Sequence, residues 1–535
     1  MKSRLGVALL LVVGLMGLVV GLGAGREVAA QGGSGTTTVI SSNSEGELGN
    51  NHSLGSSLSA DNRFVTFISS ASNLIPNDTN DQQDVFIRDL QTGVITRVSV
   101  GSNGLQSNGS SYGGLLSADG RFVVFASGAT NLVPGDTNGV NDAFIHDRQT
   151  GTTIRYSVAS SGAQGNGHSS SGAISADNRY ITFNSLADNL VTDDTNGVYD
   201  VFVRDLELGT TRRISVSSAG VEGNDDSYGG SISADGRYVL FDSSADNLVP
   251  GDTLGWVDTF VHDLQTRTTT LVSVSSSGEQ VNSHSSAGGI TSDGRFVAFS
   301  TSASNLHPGD TPSSRDVFIH DRLTGKTTCA SEREPMTLGD EQTSNNSSLS
   351  SDGRFVAFES TAYDLVPGVD SNSATDVFVY DRLLDSTIRV SVNSYGVGGN
   401  NYSEWPIISS DGRRVVFSSD ADNLVPGDTN HVGDVFIHEL PPLYAISGTV
   451  TSDANNAPIA GVLISSGPHT ATTDAGGTYR LSGLSAGDHV LVASKPGLDF
   501  QPASRLVSVA MDTAGVNFLG STEWSITGRV TDIET

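Results

Sequence analysis

The 535-residue chain carries 29 Lys+Arg against 59 Asp+Glu, a formal charge of −30, with 62 glycines and one cysteine. Its summed field repels phosphate backbones and anionic membrane surfaces, which excludes a nucleic-acid partner. The lone Cys329 excludes internal disulfides and Cys-rich zinc sites, and the length accommodates two or three domains.

Lys2 and Arg4 precede an uncharged run from Leu5 to Gly25, and Val28-Ala29-Ala30 offers the small residues that a signal peptidase prefers. Residues 1–30 therefore read as an export signal. After cleavage no membrane insertion is expected, and the acidic remainder is secreted or extracytoplasmic, in the periplasm or at the cell surface. The same run exceeds the ~18 residues that span a bilayer, so a retained anchor is the competing reading.

From there the chain repeats. The string S-x-D-[GN]-R recurs with its aspartate at Asp61, Asp119, Asp177, Asp235, Asp293, Asp352 and Asp411, at spacings of 58 or 59 residues. In each copy a β-branched and aromatic strand (RFVVFAS) follows the arginine. A Pro/Gly/Asp loop (NLVPGDTNG), a second strand (DVFVRDL), a short turn and a third strand (TRRISVS) come next, and a strand of small residues leads into the following copy. No stretch after the signal shows a helical period. Phenylalanine marks the register: Phe67 and its six equivalents occupy one strand position and Phe86 and its equivalents another, together 14 of the 20 in the chain. Sheets of four strands, buried on both faces and stacked radially, make a β-propeller. Seven copies predict seven blades.

The last copy reaches DVFIHEL at Asp434 to Leu440 and enters Pro441-Pro442 without its final strand, while Thr36 to Ser42 (TTTVISS) matches the tail of a copy. The N-terminal strand is therefore predicted to complete the last blade, which protects an otherwise open sheet edge.

SADGRFVVFAS followed by DAFIHD resembles the WD-like repeat of TolB-type propellers, over about residues 36–440. The resemblance implies an exported propeller that commonly binds protein partners, although relatives include propellers attached to peptidase or lyase activities. Ala or Ser stands here where that repeat usually has proline before the aspartate, a departure expected to alter only the turn. Residues 31–441 are accordingly assigned to the propeller.

Past Pro442, short alternating strands between Gly, Asp and Pro read as a small β-sandwich over residues 442–520. ISGTV, PIAGV, TTDAGGTYRLSGL and the SKPG turn resemble the carboxypeptidase regulatory-like, transthyretin-type domain, usually a spacer or a module for adhesion and carbohydrates. In 521–535, WSITGRVTD looks like the first strand of a second, truncated copy. The fold class expected is all-β, a seven-bladed propeller followed by a sandwich.

Chemistry is harder to place. Gly109-Ser110-Ser111-Tyr112-Gly113 fits G-x-S-x-G, but it sits in a repeat loop rather than the strand-turn-helix setting that exposes a nucleophile, and no catalytic residue is assigned. Most carboxylates are periodic, as scaffold groups are. In the DTNG loops, Asp136, Asn138 and Asp142, and Asp194, Asn196 and Asp200, offer oxygens at a spacing reminiscent of calcium loops, without the third acid and terminal glutamate of an EF-hand. Calcium is thus the one cofactor raised, with Asx-turns as the alternative.

Strands alternate in direction, so the long loops share one face. There the repeats agree on Asn50 and its equivalents, Glu341 being the exception, but differ two residues later: His52, Ser110, His168, Asp226, His284, Thr343 and Tyr402. Variation inside a regular frame, just before the innermost strand and near the channel mouth, marks this ring as the candidate ligand site. The function expected is an exported non-enzymatic binding or scaffold protein for a protein or glycan. The rival is a carbohydrate-active enzyme, a glycosidase or lyase, using aperiodic acids such as Asp226 and Glu404.

Overall fold

The computed structural model describes residues 35–252, 254–307, 314–332, 343–366 and 372–522. Residues 1–30, predicted as an export signal, together with Glu341 and the WSITGRVTD stretch, lie outside the described residues. The described chain is built of β-strands, and no helix in it is long and apolar enough to cross a membrane.

Seven four-stranded antiparallel sheets follow one another. After an opening strand β1 (Thr36–Val39), the first blade runs β2 (Ser53–Leu58), β3 (Phe64–Ser69), β4 (Asp84–Asp89) and β5 (Ile95–Arg97), paired in that order. Each innermost strand neighbours the next, and Ser403–Ile408 of the last blade returns to β2, which closes a ring. The tight turns thus lie on one face and the long loops on the other.

Between β3 and β4 and their equivalents the two recurrent phenylalanines stack, with centroids 5.4–5.9 Å apart in all seven blades. They are buried, and the branched residues flanking them fill the space against the adjoining blades. Burying such a ring contributes about 1.5–3 kcal/mol, so the repeated pair is the main apolar adhesive of each blade.

The S-x-D-[GN]-R string is a turn with a reason for every letter. Asp61 Oδ1 accepts from Ser59 Oγ (2.6 Å) and Arg63 N (3.0 Å). Its fourth residue has φ near +60 to +70°, as at Gly120, Asn62 and Asn178, where only Gly or Asn is comfortable. The arginine forks onto the aspartate that ends the third strand: Arg63 to Asp89, Arg121 to Asp147 and four further pairs lie at 2.6–2.9 Å. The residue in place of the usual proline does more than shape the turn. Ala60 N donates to Ala118 O (3.0 Å), Ala176 N to Ala234 O (3.1 Å) and Ser351 N to Ser410 O (2.9 Å), bonds between successive blades that proline, lacking an N–H, cannot make.

Closure takes the expected form. β1 pairs antiparallel with Asp434–Glu439, from Thr36 opposite Glu439 to Val39 opposite Phe436. Ile40 N then donates to Val435 O (2.7 Å), and Ser41 Oγ to the buried Asp434 (2.5 Å).

Residues 444–522 form two further four-stranded sheets, one containing Tyr444–Ser452 and the other Gly487–Ser494. Ile446, Val450, Ile464, Leu481, Leu491 and Phe518 lie between them as a shared core. This sandwich rests on the tight-turn face of the sixth blade, where Arg354 Nη1 and Nη2 donate to Gly483 O at 3.3 and 3.2 Å.

Ser41→Ala should cost about 1–3 kcal/mol, because it strips a donor from a buried carboxylate. Deletion of residues 31–45 should lower the melting temperature further, and an unchanged circular-dichroism melt of that deletion would refute the closure.

Candidate functional site

The long-loop face is organised from beneath by one aspartate per blade, at the start of the third strand, buried in every blade but the fifth, where Asp316 is half-buried. Asp142 accepts from Ser157 Oγ (2.9 Å), Asn138 Nδ2 (3.2 Å), Gln164 Nε2 (3.0 Å) and Arg155 Nη1 (3.0 Å). Asp136 shares that guanidinium at 3.3 Å. In the third blade Arg213 lies 3.3 Å from Asp194, 3.2 Å from Asp200 and 2.8 Å from Glu222, while Asn196 Nδ2 donates to Asp200 (3.1 Å). At Asp136, Asn138 and Asp142, and at Asp194, Asn196 and Asp200, a guanidinium therefore stands where the calcium reading would place an ion. Each asparagine also aims a donor, not an oxygen, at its aspartate. These residues do not fit a calcium ligand set, which demands six to eight oxygens. The Asx-turn alternative describes them, with Val140 N donating to Asn138 Oδ1 (3.2 Å) and Val198 N to Asn196 Oδ1 (3.2 Å).

The arginine is not universal. Opposite the second phenylalanine stand Arg97, Arg155, Arg213 and Arg389, but Leu271, Cys329 and Val39 in the other blades. Cys329 is half-buried rather than enclosed. Where leucine replaces arginine, Gln280 Nε2 bridges Asp252 (2.8 Å) and Asp258 (2.7 Å), and burial pushes Asp258 up to about 6. In the closing blade burial, followed by the charges of Asp434 and Asp422, pushes Asp428 up to about 6. Asp194 also rises to about 6, because burial and the charges of Asp200 and Glu222 outweigh Arg213.

The variable ring is less free than its variation implies. His52 Nδ1 accepts from Gly433 N (3.0 Å), His168 Nδ1 from Asn141 N (3.3 Å), His284 Nδ1 from Val257 N (2.9 Å) and Asp226 Oδ1 from Tyr199 N (2.8 Å). Ser110 Oγ donates to Gln82 Oε1 (2.9 Å). Each of these side chains staples its blade to the preceding one just ahead of the third strand, a task that histidine, serine and aspartate all perform. Thr343 bridges Arg315 through the backbone, and Tyr402 is exposed. The agreeing asparagines clip loops within a blade: Asn50 Nδ2 donates to Ser72 Oγ (3.0 Å) and Asn50 Oδ1 accepts from Ser72 N (2.9 Å). Ser111 of the G-x-S-x-G string is buried and bonded to Ser127 Oγ (3.0 Å), which removes it from any substrate.

What remains available lies on the innermost strands. Tyr112, Tyr228 and Trp405 are 43, 44 and 50% exposed there, the tyrosines in the strands SYGGLL and SYGGSI and the tryptophan in SEWPII. Tyr199 packs on Tyr228 at 5.2 Å, and Trp256 on His284 at 4.7 Å. Trp405 holds φ at +60°, where the equivalent Gly113 and Gly229 also have positive φ, and Trp405 N donates to Glu359 Oε2 (2.8 Å).

Glu359 belongs to a set that sequence reasoning missed. At one position of the second strand, Asp242, Glu359 and Ser418 reach across to the next blade and accept the bulge N–H of Ala287 (2.9 Å), Trp405 (2.8 Å) and Gly55 (3.0 Å). Their siblings Ile68, Ala126, Asn184 and Ser300 break the pattern, and that break was the available signal. Burial pushes Asp242 up to about 6 and raises Glu359, which Glu404 raises further. Glu404 is raised in turn by burial and Asp420.

Residues 445–519 match the family model of the carboxypeptidase regulatory-like domain. No curated protein matches the chain. Among solved structures, TolB from Acinetobacter baumannii is 13% identical, with a TM-score of 0.33, over 72% of this chain and 84% of its own. Oligogalacturonate lyase from Vibrio parahaemolyticus is 12% identical, with a TM-score of 0.44, over 76% and 93%. The propeller domain of the Trilobed protease from Pyrococcus furiosus, described as having an open velcro topology, is 11% identical, with a TM-score of 0.45, over 72% and 93%. The strand pairing itself establishes that this ring is closed.

The raised carboxylates set a pH dependence. A buried carboxyl held near 6 against about 3.9 in the unfolded chain penalises the folded state while ionised, so stability increases as pH falls from 7 through 6. Asp263, held down at about 2 despite its burial by the Arg237 fork and backbone donors, works in the opposite sense: its contribution is present above pH 4 and lost towards 2. Between pH 7.5 and 5.5 buried histidines oppose the raised carboxylates: burial holds His262 and His438 at about 4, so they weaken the fold as pH falls below about 6.5. Leu271→Arg, which gives Asp258 a charged partner, should therefore make the melting temperature at pH 5.5, relative to that at pH 7.5, lower than in the parent chain, and an unchanged difference would contradict the assignment.

Proposed function

We propose that this chain is an exported, non-enzymatic binding scaffold whose long-loop face takes a glycan or protein ligand at the channel mouth. The observation that carries the reading is the exposed aromatic set, Tyr112, Tyr228, Tyr402 and Trp405, on or beside the innermost strands. Aromatic faces stack on sugar rings and anchor protein side chains, and they concentrate binding energy when they stand in a pocket. The periodic acids, by contrast, are consumed by arginine, serine and backbone donors, which favours scaffold over catalysis. The variable ring of His52, Ser110, His168, Asp226, His284, Thr343 and Tyr402 rims this site and sets the spacing of its blades. The regulatory-like sandwich sits on the opposite, tight-turn face and leaves the mouth clear.

A second reading has its own support. Glu359 and Glu404 lie on adjoining blades beside Trp405, both raised, as a carboxyl that keeps its proton to act as a general acid must be. It assigns a glycosidase or lyase activity to the same mouth.

A glycan array with the secreted chain, followed by calorimetry on any hit, tests both. Specific binding weakened at least about tenfold by Trp405→Ala, about 1.4 kcal/mol, supports the scaffold reading. Turnover of the bound glycan that Glu404→Gln abolishes would transfer the assignment to the enzyme. A hit that Trp405→Ala and Tyr402→Ala leave untouched would remove the ligand from the channel mouth.

A further inference from the structure

The six arginine forks on the tight-turn face provide an internal comparison. In five of them the arginine side chain keeps 33–42% of its surface exposed, but in Arg354 only 12%. The cover is the sandwich, whose Gly483 carbonyl accepts from both Arg354 terminal nitrogens while Arg354 still binds Asp381 at 2.6 Å. Gly483 is required for this approach. Its φ is +80°, and a Cβ there would lie 2.2 Å from Arg354 Nη1.

His469, the first residue of the sandwich strand His469–Thr472, is only 5% exposed, and its Nδ1 has no hydrogen-bond partner. The charged groups that act on it are Arg354 and Asp381 from the propeller and His489 from its own domain. Arg354 already neutralises Asp381, so a second positive charge at His469 would arrive beside a guanidinium with no free carboxylate to receive it.

We propose that His469 is a proton-operated latch, holding the sandwich on the sixth blade while its imidazole is neutral and releasing it when the ring is protonated. Burial lowers the affinity of His469 for protons, with Arg354 acting in the same sense and Asp381 and the Ser482 backbone against it. A group whose proton affinity is lowered by docking leaves the docked state at full strength above its free value of about 6.5. It then weakens docking as pH falls below that value, by about tenfold per unit while the docked ring stays neutral. The linker from Leu440 to Leu443 is short and contains Pro441-Pro442, so release would swing the sandwich about a stiff joint rather than let it drift.

Hydrogen exchange of the full chain, corrected for the intrinsic pH dependence of amide exchange, reads docking at residues 481–485. Between pH 8 and pH 5 the protection there should fall at least about tenfold, while the phenylalanine strands of the propeller keep theirs. His469→Gln, which cannot be charged, should remove this fall even though Asp258, Asp428 and His489 still titrate. Arg354→Gln should expose 481–485 at both pH values, and Arg295→Gln, on an uncovered fork, should not. Equal protection at pH 8 and pH 5, or a full fall retained in His469→Gln, would overturn the latch.

Discussion

The constraint on which this structure rests is an aspartate at the head of each third strand, buried in all blades but the fifth and bonded to a serine that follows the outermost strand. Asp84 accepts from Ser99 Oγ (2.5 Å), Asp142 from Ser157 (2.9 Å), Asp258 from Ser273 (2.8 Å), Asp376 from Ser391 (2.7 Å) and Asp434 from Ser41 (2.5 Å). The same serine accepts the next backbone N–H, as Ser99 does from Val85 (3.1 Å). An ionised carboxylate out of water costs several kcal/mol unless its lone pairs are met. Once a blade commits this group to its interior, the serine must be in place together with a loop asparagine, an arginine or a glutamine above it, as Asn430 serves Asp434, Arg155 serves Asp142 and Gln280 serves Asp258. The loop, the outer strand and the passage to the next blade are thereby ordered together. In the last blade the serine comes from the other end of the chain, so the bond that orders a blade also closes the ring.

This arrangement accounts for which side chains are bound up in the scaffold and which are left free. Residues that repeat are spent on the aspartate and its neighbours, and most of the variable ring is spent as well, because stapling one blade to the next requires only an acceptor or a hydroxyl of suitable reach. His52, His168 and Asp226 satisfy that requirement with different chemistry. Freedom is left on the innermost strands, where no further strand pairs. There side chains such as Tyr228 and Trp405 face water, and the acids Asp242 and Glu359 serve the bulges that bend those strands.

The two faces consequently have different jobs. The long-loop face is a rigid rim with a few aromatic and acidic departures from sevenfold order. The tight-turn face is an array of near-identical arginine forks, one of which is taken by the sandwich. A carbonyl reaches the two terminal nitrogens of a guanidinium already bonded to a carboxylate only when the backbone can come close, and Gly483 supplies that closeness.

The sequence by itself determined the architecture: seven copies, the stacked phenylalanine pair, the turn chemistry of Asp61 and Arg63, and closure by residues 36–42. All of these are local patterns or patterns repeated at a constant interval, which is why they can be read along the chain. Only the tertiary structure decided the roles of the residues. The calcium-like spacing of Asp194, Asn196 and Asp200 gives no sign that Arg213 will fold over them from the outer strand. Glu359 reaches Trp405 across 46 positions of sequence, His52 reaches Gly433 across 381, and Arg354 reaches Gly483 across 129. Contacts between blades and between domains depend on how separate sheets are brought face to face. That arrangement is set by the packing of the whole ring, and no spacing within one repeat records it.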